Sequence, residues 1–254
     1  MPNNYKLGKL APKIDSRTLK MANYIKKLPP IPAAINWYST PELQQNFSWG
    51  MLLNDQMGCC AIAGPAHIEM VWTGNTGHPY IATNYCVLSA YEVVGGYNPA
   101  DPQNTDNGCV MLNVMNYWRN VGICDHKIAG YVSVNPHNIT NIKAAIYMFG
   151  AINLGIALPA SAQDQDIWDV TDPSLTGDAT PGSWGGHCVV ASKYDANTIT
   201  CITWGEEKIM TWAYFKAYCD EAYAAISHDW LNANGLSPSG FNLATLQQDL
   251  SAIR

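Results

Sequence analysis

The chain has 254 residues, 48% of them hydrophobic and 13% charged, with a net charge of −6. Nine tryptophans and 14 tyrosines at that modest charge exclude a disordered chain and fit one large domain or two packed lobes. No stretch reaches the ~18 uninterrupted apolar residues of a membrane helix, and the N-terminus lacks an apolar signal core, so a soluble protein without membrane contact, cytoplasmic or virion-associated, is expected.

Charge is unevenly spread. The first 40 residues hold Lys6, Lys9, Lys13, Arg17, Lys20, Lys26 and Lys27 against Asp15 alone, so a basic arm precedes an acidic body. Residues 1–30 end in Pro29-Pro30 and read as an extended arm with a short helix around Ser16–Lys27. The run from Cys60 to Trp72 has helical spacing, with Pro65 tolerable near the first turn. Further helices are expected at 82–94 and 110–120, and a strand at 127–134. A helix over 138–149, closed by Gly150, then leads to a buried strand at 151–158. The loop 160–186 carries Asp164, Asp166, Asp169, Asp172 and Asp178 with no lysine or arginine. Strands at 187–194 and 198–204 share the turn Asp195-Ala196-Asn197, followed by a helix-like run at 211–225 and a last amphipathic helix containing Leu243, Leu246, Leu250 and Ile253. Helices first and strands later make an α+β protein with two lobes.

Eight cysteines without a CxxC pair, in a chain too large to need staples, read mostly as reduced thiols. No Cys/His spacing suits zinc, so neither a metal nor a cofactor is expected.

Two segments carry chemistry. Asn54-Asp55-Gln56-Met57-Gly58-Cys59-Cys60 immediately precedes a helix, where unpaired amides and the helix dipole favour a thiolate. Gly58 permits a sharp turn that bares amides for an oxyanion. Gly185-Gly186-His187-Cys188 places a histidine where the long loop enters a buried strand. A thiol and an imidazole on separate rigid elements form a nucleophile–base pair.

These segments resemble those of the papain-like cysteine peptidases in a divergent bacterial or phage form. IPAAINW (31–37) resembles the start of a mature enzyme, and NDQMGCC the nucleophile segment with Cys60 as nucleophile. Asp106-Asn107-Gly108-Cys109 resembles the Gly-Cys loop, GGHCVVASKYD the histidine strand, and Thr203-Trp204-Gly205 the Ser-Trp-Gly after the catalytic asparagine. The resemblance covers about residues 31–225. It implies a helical lobe (31–135) with the nucleophile and a β-barrel-like lobe (136–225) with the histidine, facing each other across a cleft. The arm (1–30) and a C-terminal helical extension (226–254) flank them.

It also implies cleavage of peptide or amide bonds in a peptide or protein substrate through Cys60 and His187, with Asn54 or Gln56 as side-chain oxyanion donor and Trp204 shielding the histidine. Ile202 falls where the histidine-orienting asparagine belongs, and strand alternation is expected to turn Thr203 away from that face. Met57 replaces a cysteine that commonly pairs with the partner of Cys109. In this family the residues before the mature start form an inhibitory propeptide lying through the cleft; thirty residues are few for that task. The basic arm is expected to pack on an acidic surface of this chain or another subunit, the 160–186 loop being its complement, whereas an acidic body disfavours nucleic acid. The rival reading is a catalytically silent papain-fold binding or structural protein, for example in a phage virion; acyl transfer at the same pair is a third.

Overall fold

The computed structural model describes residues 5–24, 30–40, 43, 47–232 and 235–240. Its axis is helix α1 (Cys60–Asn75), buried from Cys60 through Gly74. A helix apolar all round needs cover on every side. Here α2 (Asn84–Gly95) and α3 (Met111–Asn120) pack on it, and the sheet covers the rest. Pro65 lies inside α1 rather than in its first turn, removing the N–H that the Ala61 carbonyl would accept. Thr83 caps α2 by accepting from the Cys86 amide, and α3 buries Met111, Leu112, Val114, Met115 and Trp118 along one stripe. Helix α4 (Ile139–Phe149) is capped by Asn138, and a short α5 (Trp212–Tyr218) by Thr211.

Eight strands form one sheet: β1 (Ile35–Asn36), β2 (Gly130–Ser133), β3 (Ile152–Leu158), β4 (Ile167–Trp168), β5 (Gly185–Tyr194), β6 (Thr198–Thr203), β7 (Glu206–Thr211) and β8 (Cys219–Ile226). The order is β2-β8-β3-β5-β6-β7-β4, with β1 added on β5. Among the described residues the sheet is open, so the expected barrel does not close. β4 lies parallel to β7, and the remaining pairs are antiparallel.

The helix-like run 211–225 is half helix and half strand. After Tyr218 the chain enters β8, whose ladders with β2 and β3 outweigh the helix preference of an alanine-rich segment. β7, polar and partly exposed, carries no apolar run that would predict a strand. The arm contains a turn at 16–18 and one helical turn, Met21–Tyr24; the expected last helix at 243–253 lies outside the described residues.

Cys86 and Cys124 form a disulfide that no spacing in the sequence pointed to, while Cys59, Cys60, Cys109, Cys188, Cys201 and Cys219 are free, in keeping with mostly reduced thiols. The left-handed turn at Cys124-Asp125 brings the second sulfur back to the first turn of α2. No described helix is long and apolar enough to cross a membrane.

Candidate functional site

Cys60 is the first residue of α1, so its own amide has no partner within the helix. The loop before it turns through left-handed Leu52 and Leu53 and is pinned at Gly58, whose amide donates to Asp106 Oδ1 at 2.8 Å. The Tyr91 hydroxyl donates to that same oxygen at 2.6 Å and accepts from the Gly108 amide. Asp106 thus ties the loop before Cys60 to the Gly108-Cys109 loop; the sequence showed the segment but gave no reason to single out the carboxylate. Cys59 faces the core, its thiol on the Leu52 carbonyl.

The two candidate oxyanion donors part company. Asn54 is buried, gives one amide hydrogen to the Met51 carbonyl, and turns its oxygen towards Cys59, whereas Gln56 is exposed.

His187 is fully buried on β5. Its Nε2 lies 2.7 Å from Thr203 Oγ1, and its ring stacks on Trp204 at 4.3 Å and 13°. Among the described residues Nδ1 has no hydrogen-bond partner. This corrects the expectation for the strand. Alternation does separate Ile202 from Thr203, but Ile202 is the one that faces the helical core, while Thr203 meets the imidazole. The imidazole's Nε2 is therefore met by a hydroxyl rather than an amide. Trp204 breaks from the strand with φ 48°, which lays its indole against the ring.

The two elements meet through close packing of α1 on β5. A Cβ at Gly64 would lie 2.8 Å from Asn153 Oδ1 and 3.1 Å from Cys188 Sγ, so only glycine permits this approach. Cys188, next to His187, presents its amide to the Cys60 sulfur, as do Gly8 and Ala61. Burial nevertheless raises the Cys60 thiol, outweighing those amides and the charge of Lys9. The thiolate expected at a helix start is thus not favoured in this state. Burial likewise pushes His187 down to about 3. Both groups are held neutral.

What buries them is partly the chain's own arm. Gly8 and Leu10 straddle Cys109: the Cys109 amide donates to the Gly8 carbonyl at 2.8 Å and the Leu10 amide to the Cys109 carbonyl at 3.0 Å. The Lys9 amide donates to the Gly186 carbonyl at 3.0 Å, so the arm bridges the nucleophile side and the histidine strand. A Cβ on Gly8 would run into the Gly58 carbonyl. Upstream, Tyr5 stacks on Trp204 at 4.1 Å and the Lys6 amide donates to the Asn54 carbonyl.

The arm's acidic counterpart is not the 160–186 loop. Lys9 Nζ pairs with Asp220 at 2.8 Å and Glu221 at 3.4 Å, both on β8. The loop's Asp172 instead binds its own turn at Ser174 and Thr176.

A separate acidic cluster, Glu69, His126 and Asp229, lies farther along α1. His126 Nδ1 sits 3.2 Å from Asp229 and 3.6 Å from Glu69, whose other oxygen accepts from Trp118.

No protein-family model and no curated protein matches this sequence. Solved structures do match in shape. Xylellain, a cysteine protease from Xylella fastidiosa, superposes with a TM-score of 0.59 at 14% identity, over 89% of this chain and 98% of that one. The Carica candamarcensis cysteine protease CMS1MS2, solved in complex with E-64, gives 0.53 at 13% identity, over 78% and 99%. Likeness at such identities establishes the papain-like fold.

Proposed function

We propose that this chain is a thiol hydrolase of peptide or amide bonds, held in an occluded state by its own residues 5–10. The observation that supports it most is the state of His187. Nε2 is engaged by Thr203 while Nδ1, buried, has no partner. With Nε2–H donating to the hydroxyl, Nδ1 keeps its lone pair, which is the form a general base needs.

In the proposed cycle Nδ1, which holds no hydrogen bond to the Cys60 thiol in this occluded state, closes on it and takes its proton as sulfur attacks the substrate carbonyl carbon. The oxyanion is held by the Cys60 amide and, of the two side-chain candidates, by buried Asn54 rather than exposed Gln56. The intermediate collapses to a thioester as Nδ1–H protonates the departing amine. Water, deprotonated by the same nitrogen, then releases the acid and restores the thiol. Trp204 keeps water from one face of the imidazole.

In this reading the arm is an internal blocker, seated in the cleft by its own backbone. Thirty residues suffice because only about six are needed to span the groove. The Cys86–Cys124 bridge fits an oxidising compartment better than the cytoplasm.

A second reading, a silent papain-fold binding or structural protein, draws support from the filled cleft and the neutral pair. Activity-based labelling decides. A chain with the arm dislodged by Gly8→Leu should take up an electrophilic thiol probe at Cys60 and cleave peptides, and Cys60→Ala should abolish both. A dislodged arm with Cys60 no more reactive than the other thiols would leave the silent scaffold standing.

A further inference from the structure

The most unusual charge in the cleft is Lys9. Its side chain is 2% exposed, and its ammonium meets Asp220 and Glu221, consecutive residues of β8. In a regular strand consecutive side chains point to opposite faces. Here the β3–β8 register shifts, with Gly155 opposite Glu221 but Ile156 opposite Cys219, so Asp220 is the extra residue of a bulge. The bulge turns both carboxylates onto one ammonium; re-aiming side chains beside a site is a recurrent use of bulges. Gly155 completes the pocket: a Cβ there would strike Lys9 Cε and lie 2.6 Å from Glu221 Cγ.

This pocket adjoins the reacting atoms. Lys9 follows Gly8, which abuts Gly58 and the Cys60 sulfur, and the Lys9 amide sits on the carbonyl preceding His187. With the arm displaced, Glu221, 7% exposed, and Asp220 lose the cation to which they are ion-paired. With the arm in place Glu221 lies dry and Asp220, 32% exposed, sits at the wetter rim, so it is the deeper carboxylate that most favours another cation.

We propose that the Asp220–Glu221 pocket selects peptides carrying lysine or arginine next to the residue that faces Cys60, with Lys9 standing in for that side chain until the arm leaves. The inference rests on the hydrolase reading for its catalytic consequence, but the pocket can be tested without turnover.

The full-length chain carrying Gly8→Leu and Lys9→Ala, with Cys60→Ala to prevent reaction, is titrated with a synthetic peptide of residues 5–14 bearing lysine, arginine, norleucine or glutamate at position 9. Lysine and arginine peptides should bind at least tenfold more tightly than norleucine, and glutamate most weakly. Asp220→Asn with Glu221→Gln should erase the difference. Equal affinities for lysine and norleucine overturn the pocket. If that chain does not fold, single variants replace it: Lys9→Met should label at Cys60 at least tenfold faster than wild type and Lys9→Arg at the wild-type rate, whereas identical rates for Met and Arg overturn the pocket. Restoring Cys60 and supplying fluorogenic peptides separates the two ideas. Hydrolysis without a basic preference sinks the pocket and leaves the hydrolase; basic-selective binding without any hydrolysis sinks the hydrolase and leaves the pocket.

Discussion

His187 and Thr203 are joined by a 2.7 Å contact between Nε2 and Oγ1, made by residues on neighbouring strands β5 and β6. A neutral hydroxyl in this role fixes ring orientation without adding a negative charge, which suits an imidazole held down near 3 by burial. Thr203→Val, which keeps the shape and removes the partner, should lower kcat about tenfold in the arm-released chain and leave KM nearly unchanged, the kinetic equivalent of about 1–1.5 kcal/mol. Thr203→Ser should restore the rate. A valine variant with wild-type kcat and an unaltered pH–rate profile would remove Thr203 from the mechanism.

The arm can be dislodged at one atom's width. Because a Cβ on Gly8 collides with the Gly58 carbonyl, Gly8→Leu is expected to expel residues 5–10 and let water reach Cys60 and His187. Their neutrality comes mainly from burial, so hydration should lower the thiol and raise the imidazole. Iodoacetamide labelling at pH 6, read by peptide mass mapping, should accelerate at Cys60 by about an order of magnitude or more while Cys201 stays inert. An unchanged Cys60 rate would show that the arm is not what protects it.

Two buried histidines set a pH limit on stability. Burial holds His187 near 3 and His67 near 4, against 6.5 for the unexposed-to-fold reference, and His67 Nε2 is bound to the Trp49 and Gly50 carbonyls. As pH falls below about 6.5 the unfolded chain takes up these protons and the native chain does not. Stability is therefore full above 6.5 and declines on the way to 4 and 3, by about 2–3 kcal/mol per histidine at pH 4.5. Glu69 and Glu221, raised by burial, act in the opposite sense, so the clean measure is a difference. Urea unfolding at pH 7 and 4.5 should show His67→Gln losing about 2–3 kcal/mol less than wild type over that interval. Parallel losses would mean that His67 is protonated in the folded state.

The Cys86–Cys124 bridge closes a loop of 38 residues. Its loss should cost about 4 kcal/mol on the chain-entropy account. Cys86→Ser with Cys124→Ser, or reduction of the native chain, should lower the unfolding midpoint accordingly; a shift below about 1 kcal/mol would locate the stability of this lobe elsewhere.

Much of the site was legible in local chemistry. A glycine and paired cysteines at the head of an apolar run marked the start of helix α1 and the candidate nucleophile, and a Gly-Gly-His entering a β-branched run marked strand β5 and the candidate base, because such patterns depend on neighbours in the chain. The errors arose where distant partners decide. Residues 219–226 are a strand because β2 and β3 lie on either side, and Thr203 rather than Ile202 meets the imidazole because the opposite face of β6 is claimed by the helical core. The basic arm could be seen to need acidic partners, but in the loop that matches it in composition Asp172 binds its own turn and Asp169 accepts from Thr211 on β7.

The sequence by itself determined most of the elements and pointed to the two candidate groups, since helix spacing, capping and side-chain chemistry are properties of short stretches. Only the tertiary structure decided their state: which hydroxyl holds the imidazole, which carboxylates receive Lys9, and that both reactive groups are buried neutral. Those are matters of distance and desolvation, set by segments that meet only in the folded chain, from 16 residues apart for His187 and Thr203 to 211 for Lys9 and Asp220.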